Sequence, residues 1–303
     1  MSFEVLKPGH FSCIQDLGRV GYQHLGITTG GPMDEHAFSW ANRLLGNSPN
    51  VAQVEITYGV LSLLAETDAM IAITGADLDA RINDIHVAPW FSYSVAAGDR
   101  LEFNTPLSGL RAYLAVVGGF SATHKLGSCA TVAREGIGGI TGQGDYLTKG
   151  DRLNFDPHAH RSRATVPTWA IPDYDAQLAL GVVPGYQAAQ FPDDELEKFF
   201  SSSYEVTKNI DRMGYRLSGA AIDSGLDGII SEGVCYGAIQ VPGDGQPIIL
   251  MKDHQTIGGY PKIGSLTALG AAQLSQRGPG ASVNFYPITL YEAMLQRRLF
   301  GVP

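Results

Sequence analysis

Short runs of strand-forming residues, each bounded by Gly, Asn, Asp or Pro, occupy most of this 303-residue chain. Such runs predict strands joined by turns, and 37 glycines and 16 prolines supply the residues that turns require. The predicted strands are residues 52–57, 59–65, 69–74, 78–82, 100–104, 111–117, 204–207, 236–241, 246–251 and 281–286. Gly243, Asp244 and Gly245 predict a tight hairpin between strands 236–241 and 246–251.

One short phrase occurs three times. Residues 97–103 read AGDRLEF, residues 149–155 read KGDRLNF, and residues 279–285 read PGASVNF. In each copy a glycine turn leads into an alternating strand. Because the spacing between the copies is irregular, we predict three similar turns and not a solenoid repeat.

Helical patterns are few. Residues 33–45 place apolar side chains on one face, and residues 192–200 start with Pro and acidic residues, as helices commonly do. Thr289 and Glu292 have the spacing of a capping box that opens a C-terminal helix. Residues 265–276 suggest one further short helix. The pattern therefore predicts a mainly β protein with a few peripheral helices.

The stretch that follows residue 155 has Pro, His and Arg but no hydrophobic periodicity. We interpret it as the boundary between two domains, because both halves have ordinary domain lengths. The predicted division is an N-terminal β-barrel-like domain at 1–156, a linker at 157–172 and a C-terminal barrel-like domain at 173–303.

Composition excludes several classes of partner. A net charge of -9 with no basic run argues against binding to nucleic acid or to an anionic membrane. No stretch approaches the ~20 apolar residues of a membrane span, and the N-terminus does not resemble a signal peptide, so a cytoplasmic location is expected. Cys13, Cys129 and Cys235 are isolated. They predict packed thiols in a reducing compartment, with no disulfide framework and no metal site.

Common catalytic motifs do not occur in the sequence. It contains neither GxxxxGK[ST] nor GxSxG. The glycine-rich run 136–144 suggests a dinucleotide fingerprint, but Thr141 occupies the place of its third glycine. This run is either an ordinary loop or a ligand contact.

Two polar stretches have both a structural and a functional interpretation. Residues 15–22 include Arg19 and precede a predicted helix that starts near Asp34. The amides at that helix start can hold an anion, or Asp34 can cap its own helix. Arg212 and Arg216 lie four residues apart. They form either ion pairs with Asp211 or Glu232, or a clamp for a substrate carboxylate.

The strongest candidate site is residues 251–264, MKDHQTIGGYPKIG, which follow an apolar run. If the strand continues to residue 255, Asp253 and Gln255 share one face. The pair Gly258-Gly259 lets the backbone approach a ligand. Tyr260 precedes Pro261, which fixes the direction of Lys262. We predict that amide, carboxylate, phenol and ammonium groups converge here on a small amide-like substrate. The alternative is a polar hairpin end with Lys262 in solvent.

Four strings carry a family resemblance: IQDLGRVGYQHLGITTGGPMD, RAYLAVVGGF, SEGVCYGAIQVPGDGQPIIL and DHQTIGGYPKIG. They resemble the carboxyltransferase-domain family that includes the C-subunit of 5-oxoprolinase, KipA and allophanate hydrolase subunit 2. The chain is also similar to part of the carboxyltransferase domain of urea carboxylase. The resemblance implies two cyclophilin-like β-barrel domains.

The resemblance also implies a function. It implies the C-subunit of a heteromeric ATP-dependent 5-oxoprolinase, which converts 5-oxoproline, ATP and water to glutamate, ADP and phosphate. The implied partners are the KipI-like B-subunit of 5-oxoprolinase and its larger A-subunit, with ATP bound through the complex. The alternatives are a non-catalytic KipA-like partner of a kinase inhibitor, and a biotin-dependent carboxyltransferase for urea or another amide.

The matched strings imply site residues without fixing every role. Lys262, Asp253 and Tyr260 are the expected catalytic residues. The expected substrate-binding residues are Arg19, Asp34, Arg212, Gln240, Gln246, Gln255, Thr256, Gly258 and Gly259.

Overall fold

The computed structural model describes residues 1–156, 162–226 and 228–299, which form two compact units. The first unit contains Met1–Val20 and Gly30–Asp175, and the second contains Gly21–Thr29 and the described residues from Ala176 onward. Residues 162–172 of the stretch predicted as a linker, 157–172, belong to the first unit. Residues 157–161 lie outside the described residues, whereas Val166 and Ala170 are buried in a core of this unit.

The described residues form twenty strands and four α-helices, numbered in chain order. The first unit contains β1 Ser2–Pro8, β2 Phe11–Gln15, α1 Glu35–Leu44, β3 Gln53–Thr57, β4 Leu61–Ala65, β5 Ala69–Asp77, β6 Arg81–Ile82, β7 Ile85–His86, β8 Phe91–Val95, β9 Arg100–Phe103, β10 Ser108–Val116 and β11 Arg152–Asn154. The second unit contains β12 Leu178–Pro184, α2 Asp193–Ser201, β13 Ser203–Ile210, β14 Gly214–Ser218, β15 Glu232–Gly233, β16 Ala238–Gln240, β17 Ile248–Leu250, β18 Ile257–Gly258, β19 Lys262–Leu266, α3 Ala268–Ser275, β20 Ser282–Pro287 and α4 Leu290–Leu299.

Two sheets build the first unit. One has the strand order β11-β1-β4-β9-β6-β7 and the other β2-β3-β10-β5-β8. Alternate residues of β10 face opposite sides of its sheet: Ala112 and Leu114 belong to the core shared by both sheets, whereas Tyr113 and Ala115 pack with α1. Burial on both faces explains why this strand is almost continuously apolar.

The second unit contains a closed seven-stranded barrel with the order β12-β19-β16-β17-β14-β13-β20. Its buried side chains include Leu180, Tyr215 and Ile263. Helix α2 packs on β20, where the rings of Phe199 and Phe285 stack with their centroids 4.7 Å apart. This barrel and the two sheets of the first unit confirm the predicted mainly β fold.

The thrice-repeated phrase adopts one conformation. Gly98, Gly150 and Gly280 have φ angles of +91°, +90° and +89°, which favour glycine. Each donates its N–H to a neighbouring strand at an N···O distance of 2.8 Å, and the acceptors are the carbonyl oxygens of Ala65, Val5 and Val206. The prediction of three similar turns is therefore confirmed.

The predicted helices are present as α1, α2, α3 and α4, and Glu292 and Thr289 form the predicted capping box. The hairpin between β16 and β17 also forms, although its loop is longer than a tight turn. The condition under which Asp253 and Gln255 share one strand face is not met, because β17 ends at Leu250 and a turn follows. No helix in the described part of the chain is long and apolar enough to cross a bilayer.

Candidate functional site

The segment 251–264 does not gather its polar groups in one place. After β17 the chain makes a turn at residues 252–253, forms the short strand β18, and enters the barrel again as β19. Asp253, Tyr260 and Lys262 consequently have three different environments. The predicted convergence of these side chains is not observed in the second unit.

Asp253 forms a closed ion pair with Arg212. Its two carboxylate oxygens accept hydrogen bonds from Nε and Nη2 of Arg212 at 2.9 and 3.0 Å. The backbone N–H of Asp253 also donates to the carbonyl oxygen of Arg212 at 2.7 Å. Only 12% and 8% of the two side chains are exposed. This bidentate geometry holds the end of β17 against the loop before β14 and occupies the carboxylate that we expected to act in proton transfer.

The arginine ion pairs differ from the expected ones. Arg212 pairs with Asp253, and Arg216 pairs with Asp244 in the hairpin loop. Asp211 instead accepts hydrogen bonds from the backbone N–H groups of Met213 and Gly214. Of the two alternatives, the structure therefore favours ion pairs over a free clamp, and the acids that it pairs with these arginines are Asp253 and Asp244.

Lys262 lies at a small cavity in the second unit. Its ammonium pairs with Glu232, whose carboxylate also accepts hydrogen bonds from the Tyr186 hydroxyl and from Gln187 Nε2, the latter at 2.9 Å. The cavity has a volume of about 310 Å³. It is lined by Gly185, Tyr186, Gln187, Glu232, Gly233, Val234, Cys235, Lys262, Gly264 and Ser265. The alternative that Lys262 lies free in solvent is wrong.

Backbone pairing positions this cluster. Glu232 is in β15, which pairs with β18 so that Glu232 is opposite Gly258. Gln187 contacts both charged residues, because its Oε1 accepts a hydrogen bond from the Lys262 backbone N–H at 2.8 Å and its Nε2 donates to Glu232. One amide side chain therefore orients the two charged residues at the same cavity.

The hydrogen bonds at this cavity also set the protonation states of Glu232 and Tyr186. The hydrogen bond from Lys262, followed by that from Tyr186, holds the pKa of Glu232 below its ordinary value. The hydrogen bond to Glu232 raises the pKa of Tyr186 above its ordinary value. At neutral pH Glu232 is consequently ionised and Tyr186 keeps its proton. The cavity therefore presents an ammonium, a carboxylate and a neutral phenol, which can polarise a carbonyl and accept or donate protons.

Gln240 lies at a second cavity, of about 500 Å³, whose lining also includes Gln255, Tyr260 and Arg216. Gln240 is 2% exposed, and no residue that the structure describes accepts a hydrogen bond from its Nε2. A Cβ on Gly258 would lie 2.5 Å from that atom. Gly258 thus leaves room for a buried amide that can donate to a ligand oxygen.

Three other predicted residues make local contacts. Gln246 exchanges two hydrogen bonds with the backbone of Gly219, at 2.8 and 3.3 Å. The carbonyl oxygens of Thr256 and Gly259 accept hydrogen bonds from the backbone N–H groups of Val234 and Ile229. These contacts fix the loops around β15 and β18.

Arg19 and Asp34 belong to the first unit. Asp34 caps α1, since its side chain accepts a hydrogen bond from the backbone N–H of Ala37 at 2.9 Å, and it also accepts one from the Tyr174 hydroxyl at 3.1 Å. The capping interpretation is therefore confirmed. Arg19 is 1% exposed and donates to the carbonyl oxygen of Ala130 at 2.6 Å.

Sequence reasoning missed much of the Lys262 cavity. Tyr186 and Gln187 were not proposed as site residues, and Glu232 was considered only as a partner for arginine. Cys235 was expected in the core, yet it is exposed and its Sγ lies 3.2 Å from Ser265 Oγ, whereas Cys13 and Cys129 are buried as predicted. The motif SEGVC contains both Glu232 and Cys235, and its position just before the YGAIQ strand was the available signal.

Comparison with protein families gives one match over most of the chain. Residues 25–287 match the model of the carboxyltransferase domain, subdomains A and B. The chain is 35% identical to the C-subunit of 5-oxoprolinase from Escherichia coli over 296 residues, covering 97% of this chain and 94% of that protein. It is 36% identical to the C-subunit of 5-oxoprolinase from Haemophilus influenzae, with the same two coverages of 97% and 94%.

A solved structure has the same fold. The crystal structure of the K. lactis urea amidolyase superimposes with a TM-score of 0.90 and 28% sequence identity, and the match covers 99% of this chain. The chain spans only 19% of that much longer protein. Both the fold and the order of the elements are therefore those of a module that also occurs within a larger polypeptide.

Proposed function

The chain belongs to the carboxyltransferase-domain family, subdomains A and B, and from this membership we propose that it is the C-subunit of an ATP-dependent 5-oxoprolinase built from several chains. The proposal rests on the share of the relative's length that the chain covers, as well as on their sequence identity. The chain covers 94% of a relative that is named as this 5-oxoprolinase component, at 35% identity. The K. lactis urea amidolyase, by contrast, contains the module as a fifth of its length.

In the proposed reaction, one water opens the lactam of 5-oxoproline to glutamate and a second is consumed as ATP becomes ADP and phosphate. Phosphorylation of the lactam oxygen makes the ring carbon easier to attack and supplies a good leaving group. Lys262 is suited to stabilising the negative charge that develops on this oxygen, because its ammonium lies at the cavity. Glu232 is suited to orienting the Lys262 ammonium at the cavity, because its carboxylate accepts the hydrogen bond from Lys262 Nζ.

ATP enters this proposal as a substrate bound through the complex. Lys262 is the one cation among the residues that line its cavity, and it already pairs with Glu232. These lining residues do not form a phosphate cradle of the Walker type. We therefore assign ATP to a site that needs the KipI-like B-subunit, the larger A-subunit, or both.

A second candidate function is carboxyl transfer to urea or another small amide. The TM-score of 0.90 against a urea amidolyase favours it. In this case biotin would be carried by another chain or domain, and the buried amide of Gln240 would contact the substrate oxygen. The two candidates differ in their product, so one assay separates them.

The test is glutamate release from 5-oxoproline by the purified complex of this chain with its KipI-like partner and its larger partner. We expect release that depends on ATP and on this chain, and that falls at least about tenfold in Lys262→Ala. Lys149→Ala is the matched control, because Lys149 is exposed in the first unit. This control should keep the wild-type rate.

A well-formed complex that hydrolyses no 5-oxoproline would overturn the proposal. Biotin-dependent carboxylation of urea by the same preparation would then support the second candidate. Tight association with the partners and no turnover of either substrate would indicate a binding role. Equal activity of Lys262→Ala and wild type would remove Lys262 from the reaction.

A further inference from the structure

His124 and Cys129 flank a tight hairpin turn in the first unit. Lys125 and Ser128 exchange backbone hydrogen bonds at 2.9 and 3.3 Å, and the two residues between them, Leu126 and Gly127, have φ angles of +54° and +78°. Two consecutive positive φ angles are typical of a two-residue hairpin turn. His124 and Cys129 are the residues just outside the Lys125–Ser128 bridge, one on each side of the turn.

Asp16 approaches this turn from the end of β2. Its Oδ2 accepts hydrogen bonds from the Cys129 backbone N–H at 2.8 Å and from the Cys129 thiol at 3.4 Å. Its Oδ1 accepts hydrogen bonds from the Ser128 hydroxyl at 2.5 Å and the Gly18 N–H at 3.0 Å. This carboxylate is therefore held in one orientation, with Oδ2 directed at the sulfur.

The three side chains have the spacing of metal ligands. One donor atom from each of Asp16, His124 and Cys129 lies within 4.8 Å of the other two. In a tetrahedral site with ordinary zinc bond lengths, a sulfur and an oxygen ligand are about 3.6 Å apart, close to the 3.4 Å between Cys129 Sγ and Asp16 Oδ2. We propose that Asp16, His124 and Cys129 bind one Zn²⁺ ion.

The donor set selects the kind of metal. A thiolate, an imidazole and a carboxylate suit Zn²⁺, whereas Ca²⁺ and Mg²⁺ prefer oxygen ligands alone. Asp16 and Cys129 are buried, and His124 is exposed. The ion therefore enters from the side of His124, and water completes its coordination as in three-ligand zinc sites.

Hydrogen bonds that are already present hold the Asp16 carboxylate in position for the ion. The Cys129 thiol donates its proton to Asp16 Oδ2 at 3.4 Å, and the ion takes the place of this proton between the two atoms. The hydrogen bonds to Oδ1 from Ser128 and Gly18 are retained and orient the ligand. Binding would join the segment after β2 to the hairpin.

The sequence predicted no metal site because its ligands are not adjacent in a motif. Asp16 and Cys129 are 113 residues apart, and the turn between His124 and Cys129 includes a leucine at positive φ. A search for CxxC spacing cannot find such a site. Only the pairing of the two segments brings its ligands together.

The test is metal binding by the full chain after chelator treatment, measured by competition with a chromophoric Zn²⁺ chelator. We expect about one Zn²⁺ per chain, and affinity at least about tenfold lower in His124→Ala. Because His124 is exposed, this variant keeps the fold. Co²⁺ should give a thiolate charge-transfer band in wild type and none in Cys129→Ser.

His10→Ala and Cys235→Ser are the matched controls, since both residues are exposed and outside the cluster. Both should keep the wild-type affinity for Zn²⁺ and the Co²⁺ band. The proposal is overturned if wild type binds no Zn²⁺, if His124→Ala binds as tightly as wild type, or if the band disappears in Cys235→Ser. Because the readout is metal binding, this result does not depend on the enzymatic activity of the chain.

Discussion

Two ion pairs of the second unit place an acid beside a base, and their surroundings differ. Arg212 and Asp253 make two well-aligned hydrogen bonds and are 12% and 8% exposed. Lys262 and Glu232 also pair, but Glu232 is 32% exposed and both line a cavity. The charges of the Arg212–Asp253 pair are buried and bound to each other. The Lys262–Glu232 pair lies at a cavity, where a ligand can compete for its hydrogen bonds. Burial suits the Arg212–Asp253 pair to stabilising the fold, and the cavity suits the Lys262–Glu232 pair to contacting a substrate.

The largest expected effect comes from breaking the Arg212–Asp253 ion pair. Arg212→Ala leaves a buried carboxylate without its bidentate partner, so we expect a loss of about 3 kcal/mol in the free energy of unfolding. Lys262→Ala should cost less than about 1 kcal/mol, since its partner remains in contact with water. Urea unfolding followed by circular dichroism measures both. Equal losses in the two variants would contradict the distinction between the pairs.

An intermediate effect is expected where Gly258 approaches Gln240. In Gly258→Ala the new Cβ would lie 2.5 Å from Gln240 Nε2, and we expect a loss of about 1–2 kcal/mol in the free energy of unfolding. Gly233→Ala, in the paired strand β15, is the matched control, because no atom lies within 4 Å of its added Cβ. Replacing Gln240 by alanine should remove the clash with the new Cβ at position 258.

The double variant Gly258→Ala/Gln240→Ala tests that explanation. If the clash causes the loss, the alanine at 258 should cost less in the Gln240→Ala background than in wild type. The same urea titration gives this coupling energy. Additive losses would show that the space beside Gln240 is not what requires glycine at 258.

The smallest expected effect is a pH dependence of the stability that the Lys262–Glu232 pair contributes. The hydrogen bond from Lys262 holds the pKa of Glu232 below its ordinary value of 4.5. The ion pair therefore contributes its stability above about pH 4.5, and this contribution is lost as the pH falls through the lower pKa of the folded state. Urea unfolding at several pH values, for wild type and Glu232→Gln, measures the difference. A difference that grows as the pH falls below 4.5 would have the wrong sign.

Local patterns predicted much of the fold. Turn residues bounded the strands, the capping box of Thr289 and Glu292 opened α4, and Asp34 capped α1. Strands with glycine or polar residues were missed, such as β14 at Gly214–Ser218 and β19 at Lys262–Leu266. Their strand conformation depends on pairing with neighbours in the barrel, which local propensity does not record.

The candidate site was less predictable because it depends on contacts between distant residues. Lys262 was identified, but its partner Glu232 is 30 positions away, and Gln187, which contacts both, is 75 positions from Lys262. Asp253 was expected beside Lys262, but the strand ends three residues before Asp253 and its side chain turns to Arg212. Tertiary pairing therefore decides which polar residue of the 251–264 segment faces which cavity.

We expect the Lys262–Glu232 pair to act in catalysis and the Arg212–Asp253 pair to stabilise the fold. The most direct measurement compares ATP-dependent glutamate release by reconstituted complexes of Lys262→Ala and Asp253→Asn, each corrected for its folded fraction. We expect that Lys262→Ala remains folded and loses at least about tenfold in rate, whereas Asp253→Asn loses activity only in proportion to its unfolded fraction. A folded Asp253→Asn complex with the larger loss, beside an active Lys262→Ala, would contradict this expectation.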